Sequence, residues 1–411
     1  MRRLLAAFLA VLLVTATAAA ADKAAVERQF RSFLENDIWP EAKGRGVSRA
    51  VFDSTLSNVA LDWSLPDLIP PGSKAATPKQ QHQAEFRSPA GYFAEKQVGA
   101  VVAGGRSRLG KQAALLKKVE KATGVPGAVI LAIWGRESGF GAAKIPFDAF
   151  RVLGTKAFMA SRKDMFRVEL LAALEIVARG YAGLSQMKSS WAGALGQPQF
   201  MPSKYLAHAV DFDGDGHRDI WRSTPDTLAS IGRYLKDFGW QAGRDWGFEV
   251  SVPDSVSCAE EGPDRGHKIA DWAKRGIVRV SGKPFPDREL GRDGFLLMPA
   301  GRNGPAFIVT PNFYVLKEYN ESDLYALFIG HAADRMAGTD RPFSVAFGNV
   351  DPMLRSDVAA MQRKLEQQGY DVGGADGLPG YKTRRSIGDW QAKHGTVPTC
   401  YPSSALAKAL R

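Results

Sequence analysis

One stretch, Pro126-Gly-Ala-Val-Ile-Leu-Ala-Ile-Trp-Gly-Arg-Glu-Ser-Gly-Phe-Gly141, constrains the fold more than any other. Val129, Ile133 and Glu137 recur every four residues, with Ile130 and Trp134 beside them. That spacing predicts a helix whose apolar stripe packs into a core. Pro126 suits the first helical position, where a missing N–H costs nothing, and Gly139 and Gly141 can supply a left-handed stop. Glu137 then prolongs a buried line and ends near the negative pole of the helix. Desolvation and the helix dipole both disfavour a carboxylate there, which predicts a raised pKa. A carboxyl still protonated near neutral pH can act as a general acid. A solvated glutamate at a frayed helix end is the other reading of the same residues.

The beginning of the chain has the pattern of an export signal over residues 1–21. Arg2 and Arg3 precede the short apolar run Leu4–Val14, and Ala18–Ala21 offer small residues for cleavage before Asp22. The run is short for a membrane span, with a retained anchor as the alternative, and no nearby cysteine signals a lipid anchor. The formal charge of +11 falls to +9 once Arg2 and Arg3 are removed. A basic surface on an exported chain points to a carboxylate-bearing wall polymer and away from nucleic acid. A dispersed basic surface that serves only solubility is the equally weighted alternative. Cys258 and Cys400 have no metal-ligand spacing; a disulfide and two buried thiols are both open.

In chain order, Lys23–Asn58 predicts two amphipathic helices, and Leu61–Pro78 a proline-rich extended wrap. Gly104-Gly105 predicts a turn, and Lys111–Ala122 a helix. Met165–Ala178 predicts a helix with Val168, Leu171, Leu174, Ile176 and Val177 inward, and Thr227–Phe238 another, capped by Asp226 and closed by Gly239. From about residue 242 to 310 the pattern turns to strands: Phe248–Val252, Ile277–Val280, and a hairpin of Phe295–Met298 with Ala306–Val309 around Gly301–Gly304. Asp323–Met336 returns to helix.

The segment Ser189-Ser-Trp-Ala-Gly-Ala-Leu-Gly-Gln-Pro-Gln-Phe-Met-Pro-Ser203 contains glycines and prolines that forbid regular structure. It is nonetheless dense in amide and aromatic side chains, as suits a loop lining a cleft. Ser190 and Gln199 offer hydrogen bonds; Trp134, Trp191 and Phe200 can each be a sugar-stacking wall or core. Glu137-Ser138-x-x-Gly141, then Ala192-Gly193-Ala194-Leu195-Gly196-x-x-Gln199-Phe200-Met201-Pro202, then Asn312–Tyr325 with Tyr319-Asn320, resemble in order the blocks of the lytic murein transglycosylase B family. The resemblance covers about residues 26–337. It implies a mainly α (α+β), lysozyme-like catalytic core with a small β-containing insert. It also implies cleavage of the β-1,4 bond between N-acetylmuramic acid and N-acetylglucosamine without water. Glu137 would be the lone acid, then base, and Ser190, Gln199, Tyr319, Asn320, Tyr325 and Arg162 would line the cleft. Ordinary glycosidases need a second carboxylate; none stands in these blocks, and Asp148 and Asp164 lie in polar contexts.

Asp211-Phe-Asp213-Gly-Asp215-Gly216-His217 follows a calcium-loop pattern, with acids at alternate positions, glycine sixth and the His217 carbonyl seventh. Arg222 stands where the closing glutamate belongs. The family resemblance implies a longer loop closed by a later carboxylate, here Asp226. Bound structural Ca2+ and a metal-free Asx-rich turn are both open, and the chemistry itself requires no cofactor. After a linker at 341–349, Leu354–Leu410, with Asp376-Gly377 and Thr383, resembles the three-helix peptidoglycan-binding domain. The implied layout is a leader at 1–21, a catalytic domain at 22–340 and a binding domain at 350–411, in a periplasmic protein. Its partners would be peptidoglycan glycan strands, with other cell-wall enzymes as further candidates.

Overall fold

The computed structural model describes residues 23–73, 88–338, 340–348 and 350–410. The expected leader and the end of the proline-rich wrap lie outside these residues. The chain divides into two compact units, one from Met1–Ala75 with Gly141–Ser230, the other from Ala76–Phe140 with Ile231–Arg411.

In the first unit, α1 (residues 23–33) runs through a π-helical turn, Leu34–Ile38, into α2 (Trp39–Gly44), and α3 (Arg49–Leu56) follows. Phe30, Leu34 and Ile38 form its buried face. The strand β1 (Phe147–Asp148) pairs antiparallel with β2 (Lys188–Ser189). Asp148 caps α8 (Ala149–Met159), accepting from Arg151 N at 3.0 Å. α8 packs on α9 (Lys163–Ala178), and α9 on α10 (Pro202–His208). The buried Glu169 of α9 fixes the start of α10, accepting from Ser203 N at 2.8 Å and Ser203 Oγ at 2.7 Å. Val168, expected inside, is 47% exposed, because Phe166 and Leu170 hold the inner positions of that turn. α11 (Thr224–Asp237) begins three residues before the expected start. Ser223, not Asp226, is its cap, receiving Asp226 N at 3.3 Å. The Asp226 side chain is turned instead to loop backbone.

In the second unit, α4 (Pro89–Tyr92) leads into α5 (Glu95–Lys111), α6 (Ala113–Thr123) and α7 (Gly127–Ser138). Gly104 and Gly105 make no turn; they lie inside α5. A Cβ would sit 2.4 Å from the Phe140 ring at Gly104 and 2.2 Å from the Met336 sulfur at Gly105. The pair therefore marks close approach of neighbours, a use that a turn-like glycine pair conceals. Pro126 caps α7 from one residue outside, the helix is buried from Gly127 to Gly135, and Gly139 ends it at φ 57°.

The expected strands form one antiparallel sheet ordered β4-β6-β8-β3-β5. Its members are β3 (Gly247–Ser251), β4 (His267–Lys268), β5 (Val278–Arg279), β6 (Asp293–Leu297) and β8 (Ala306–Val309), with β7 (Pro299–Arg302) in the connection before β8. Ile308 lies opposite both Phe248 and Leu296. With the short helices α12 (Ile269–Lys274) and α13 (Asp287–Leu290), the sheet encloses a core of Phe248, Trp272, Phe285 and Ile308. α14 (Pro311–Tyr319) and α15 (Asp323–Ala337) follow, and α15 packs on α5 and α7. Residues 340–348 carry no helix or strand, but Phe343 stacks on His331 at 3.8 Å and Phe347 on Phe93 at 5.0 Å. The last helices, α16 (Arg355–Gln367), α17 (Tyr381–Lys393) and α18 (Ser404–Ala409), close on Val358, Leu365, Ile387, Trp390 and Leu406. Cys258 and Cys400 are disulfide-bonded, with Cα atoms 6.1 Å apart. No helix among the described residues is long and apolar enough to cross a membrane.

Asp334 of α15 keeps part of its surface in solvent, while its Oδ2 accepts from Trp246 Nε1 at 2.9 Å. Desolvation of the carboxyl by its packed neighbours pushes it up to about 7, outweighing the indole donor. The folded chain therefore holds this proton more tightly than the unfolded one. Stability is lost as pH rises from the ordinary carboxylate range to about 7, and the loss is complete above that. Asparagine can accept the same bond without charge. Asp334→Asn should raise the Tm at pH 8 and change it far less at pH 4, solvent screening keeping the gain small; thermal melts at the two pH values check this.

Candidate active site

Glu137 is the last residue but one of α7, half-buried where the apolar helix gives way to Gly139. Ser138 Oγ donates back to Trp134 O at 3.3 Å, which keeps the final turn closed. α15 brings Tyr325 to the same point, and its buried hydroxyl donates to Glu137 Oε1. Ser322 caps α15, its Oγ accepting from Tyr325 N at 3.4 Å. The Tyr319 ring, at the end of α14, lies parallel to that of Tyr325, centroids 6.4 Å apart at 10°. Asn320 sets the bend between the two helices, its Oδ1 accepting from Ser322 N at 3.1 Å. Tyr234 of α11 was not singled out by its sequence pattern. Its ring lies 4.8 Å from that of Tyr319 and its hydroxyl donates to Glu318 O.

Burial, and then the nearby Glu137 carboxylate, push both Tyr319 and Tyr325 well above the ordinary phenol value. Tyr325 therefore remains a proton-bearing donor at any physiological pH. A carboxyl held by such a donor against an apolar helix end can give up a proton and stay stabilised as the anion.

Ser190 and Gln199 belong to the first unit, on the irregular loop. The loop folds on itself through single bridges, Ser189 with Leu195 and Leu195 with Phe200. Leu195 N donates to Phe200 O at 2.7 Å, and Phe200 N to Leu195 O at 3.0 Å. Gly196 has φ 61°, and a Cβ there would meet Ile220 O at 2.8 Å, so the position accepts only glycine. Gln199 adopts φ 55°, a strained value for a side-chain-bearing residue, and its Nε2 donates to Gly196 O at 2.8 Å. Ser190 Oγ accepts from Ala194 N at 3.3 Å. Trp134 and Phe200 are core residues, whereas Trp191 is 46% exposed. Lys156, another residue the sequence did not single out, is buried in α8. Its ammonium lies 5.1 Å from the Trp191 ring centroid and 3.4 Å from Pro66 O. Arg162 is exposed at the start of α9, its carbonyl accepting from Phe166 N at 3.2 Å.

Of the expected metal ligands, Asp211, Asp213 and Asp226 converge, with carboxylate oxygens within 4.8 Å of one another. Asp226 is fully buried and accepts from Phe212 N and Asp219 N, both at 2.8 Å. Asp211 accepts from Gly214 N at 2.7 Å and Gly216 N at 2.9 Å. Asp215 does not join the side-chain cluster; His217 was expected to offer its carbonyl, not its ring. Asp215 Oδ1 takes His217 N at 2.8 Å, an Asx-type turn that points the carboxylate back into its own loop. Three converging carboxylates form a hard oxygen donor set, which fits Ca2+ and not a soft-ligand metal.

The Glu137 carboxyl held by Tyr325, the self-bridged Gly-rich loop and the aspartate cluster together point to a class. The chain belongs to the transglycosylase SLT domain family, which matches residues 29–334, and residues 355–410 match a peptidoglycan binding domain. The fold is accordingly lysozyme-like and mainly α, with a small sheet and a C-terminal helical unit. SltB3 from Pseudomonas aeruginosa, solved in complex with NAG-NAM-pentapeptide, is 35% identical, with a TM-score of 0.81 over 93% of this chain and 99% of that chain. The membrane-bound lytic murein transglycosylase B of Escherichia coli (strain K12) is 29% identical over 227 residues, 54% of this chain; the match spans 60% of that relative's length. Escherichia coli SLT35, solved with calcium, shares the fold at 24% identity and a TM-score of 0.51, over 62% of this chain and 80% of that chain.

Tyr325→Phe keeps the ring and removes the donor. Turnover should fall by roughly 10–100-fold, the scale of a disturbed general acid. The alkaline limb of the pH–rate profile should move upward, because the lost bond favoured the charged carboxylate. A pH–rate profile on a soluble glycan fragment checks both.

Proposed function

We propose that this chain is a peptidoglycan lytic transglycosylase whose single catalytic group is Glu137. The observation that carries this reading is the Tyr325 hydroxyl bonded to Glu137 at the end of a buried helix. Glu137, protonated, delivers its proton to the oxygen joining muramoyl C1 to the next N-acetylglucosamine, and the C1–O bond breaks. The carboxylate, held by Tyr325, then takes the proton of the muramoyl C6 hydroxyl as O6 bonds to C1. The products are a free 4-hydroxyl and a 1,6-anhydromuramoyl end. Glu137 regains its proton, and no water is consumed. Tyr319 and Asn320, with Ser190, Gln199 and Arg162, are proposed to bind the glycan. A leader at 1–21 would carry the chain to the periplasm, where this substrate lies. Residues 22–340 would form the catalytic domain with its insert at about 242–310, followed by a linker at 341–349 and a wall-binding domain at 350–411.

Glu137→Gln tests the assignment. The wild-type chain should release from purified sacculi muropeptides one water lighter than hydrolytic products. The variant should release none while still binding sacculi. Reducing-end products from the wild type would make the chain a hydrolytic muramidase, and binding without release would make it a wall-binding scaffold.

Asp211, Asp213 and Asp226 are proposed to hold a structural Ca2+ that takes no part in the proton transfers. An ion that binds only the folded chain stabilises it by about 2.7 kcal/mol at a hundredfold excess over its dissociation constant. Added Ca2+ should therefore raise the Tm by several degrees, chelation should reverse the rise, and Asp226→Asn should abolish the response.

A further inference from the structure

We propose that Arg384, in the C-terminal helical unit, is a positioning residue for Glu137. The C-terminal unit then serves the chemistry directly as well as anchoring the enzyme. This inference rests on the transglycosylase reading above.

The bend between α14 and α15 supplies Tyr319, Asn320 and Tyr325, and the back of that bend is closed by a cluster of four charges, two of them buried and two partly exposed. Lys317 Nζ, two residues before Tyr319, donates to Asp323 Oδ1 at 2.6 Å. Arg384 Nη2 donates to Asp323 Oδ2, two residues before Tyr325, at 2.9 Å. The same guanidinium grips Glu261 through Nε at 2.7 Å and Nη2 at 3.1 Å, and its Nη1 donates to Pro379 O at 2.9 Å. Glu261 also accepts from Met298 N at 3.0 Å. Arg384 is 3% exposed and Glu261 fully buried. Two cations meet two anions, so the cluster is neutral as a whole. Burial alone would raise the Asp323 carboxyl, but Lys317 and Arg384 outweigh it and hold it down at about 2.

A guanidinium is a rigid planar fork. By sharing Nη2 between Glu261 and Asp323, Arg384 fixes the first turn of α15 against the sheet-bearing insert. Tyr325 sits in that first turn, so the direction of its bond to Glu137 follows from the cluster. Other links hold the C-terminal unit to the insert without Arg384, among them the Cys258–Cys400 disulfide, the Arg385–Asp264 ion pair and the bond from Arg302 N to Thr399 O at 2.9 Å. Changing Arg384 therefore disturbs alignment without releasing the unit.

An anchor acts only by concentrating enzyme on a polymer, and it is irrelevant to a short soluble glycan. The test is steady-state kinetics of the full chain on a soluble muramoyl tetrasaccharide. Arg384→Lys keeps the charge and loses the fork; Glu261→Gln with Arg384→Gln removes both charges and avoids an unpaired buried acid. Both are expected to lower kcat about five- to tenfold with KM unchanged and Tm within a few degrees of wild type. In a Tyr325→Phe background, Arg384→Lys should have little further effect, because both act through one bond. Unchanged kcat on the tetrasaccharide, with loss confined to sacculi, would overturn the proposal, as would fully additive effects in the combined variant. Failure of the underlying reading is separate: the wild type would then give no anhydro product from the tetrasaccharide.

Discussion

The bond from Tyr325 to Glu137 joins the ends of two buried helices, and the packing of α5, α7 and α15 keeps it in place. α5, α7 and α15 pack tightly because glycine faces neighbour at Gly104, Gly105 and Gly135, where any side chain would collide with Phe140, Met336 or Val101. Gly330 does the same for α15 against the Trp246 ring, 2.5 Å from where its Cβ would be. Arg136 lies over both Tyr92 and Phe328 at 4.7 Å, so the residue beside Glu137 is fixed by aromatic faces and the carboxyl inherits little freedom.

The chemistry follows from what surrounds one carboxyl. A glycosidase with water as nucleophile needs a second carboxylate to activate or replace that water. When the substrate's own hydroxyl attacks, the group that gave a proton can take one back, and it has only to survive as an anion in between. A buried phenol is well suited to supporting that anion. Desolvation keeps its proton on, so it donates at every stage and never competes as an acid.

Much of this was legible in the chain. The apolar stripe from Val129 to Glu137 and the left-handed Gly139 specify α7 almost to the residue, since helix period and stop are local properties. Alternating apolar residues marked β3, apolar runs on either side of Gly301–Gly304 marked β6 and β8, and the Asp211 loop was visible in its acid spacing. What local pattern could not show is what two distant segments do together. Gly104-Gly105 looked like a turn because close packing and turning both favour glycine. Asp226 looked like the cap of α11 in place of Ser223, because both residue types cap helices and only the fold turns Asp226 toward Phe212 and Asp219. Lys156 and Arg384 each sit among helical residues of ordinary composition. Their burial depends on partners far along the chain: Pro66 is 90 residues from Lys156, and Asp323 and Glu261 are 61 and 123 residues from Arg384. The disulfide could only be left open, as geometry decides it.

Ring closure by the muramoyl C6 hydroxyl at a single phenol-supported carboxyl would take no oxygen from water. Cleavage of sacculi in water enriched in heavy oxygen, followed by mass spectrometry of the new muramoyl ends, tests it most directly. The new ends should carry no heavy oxygen and lack one water relative to hydrolytic products. Heavy oxygen at muramoyl C1 would show that water, and not the C6 hydroxyl, is the nucleophile.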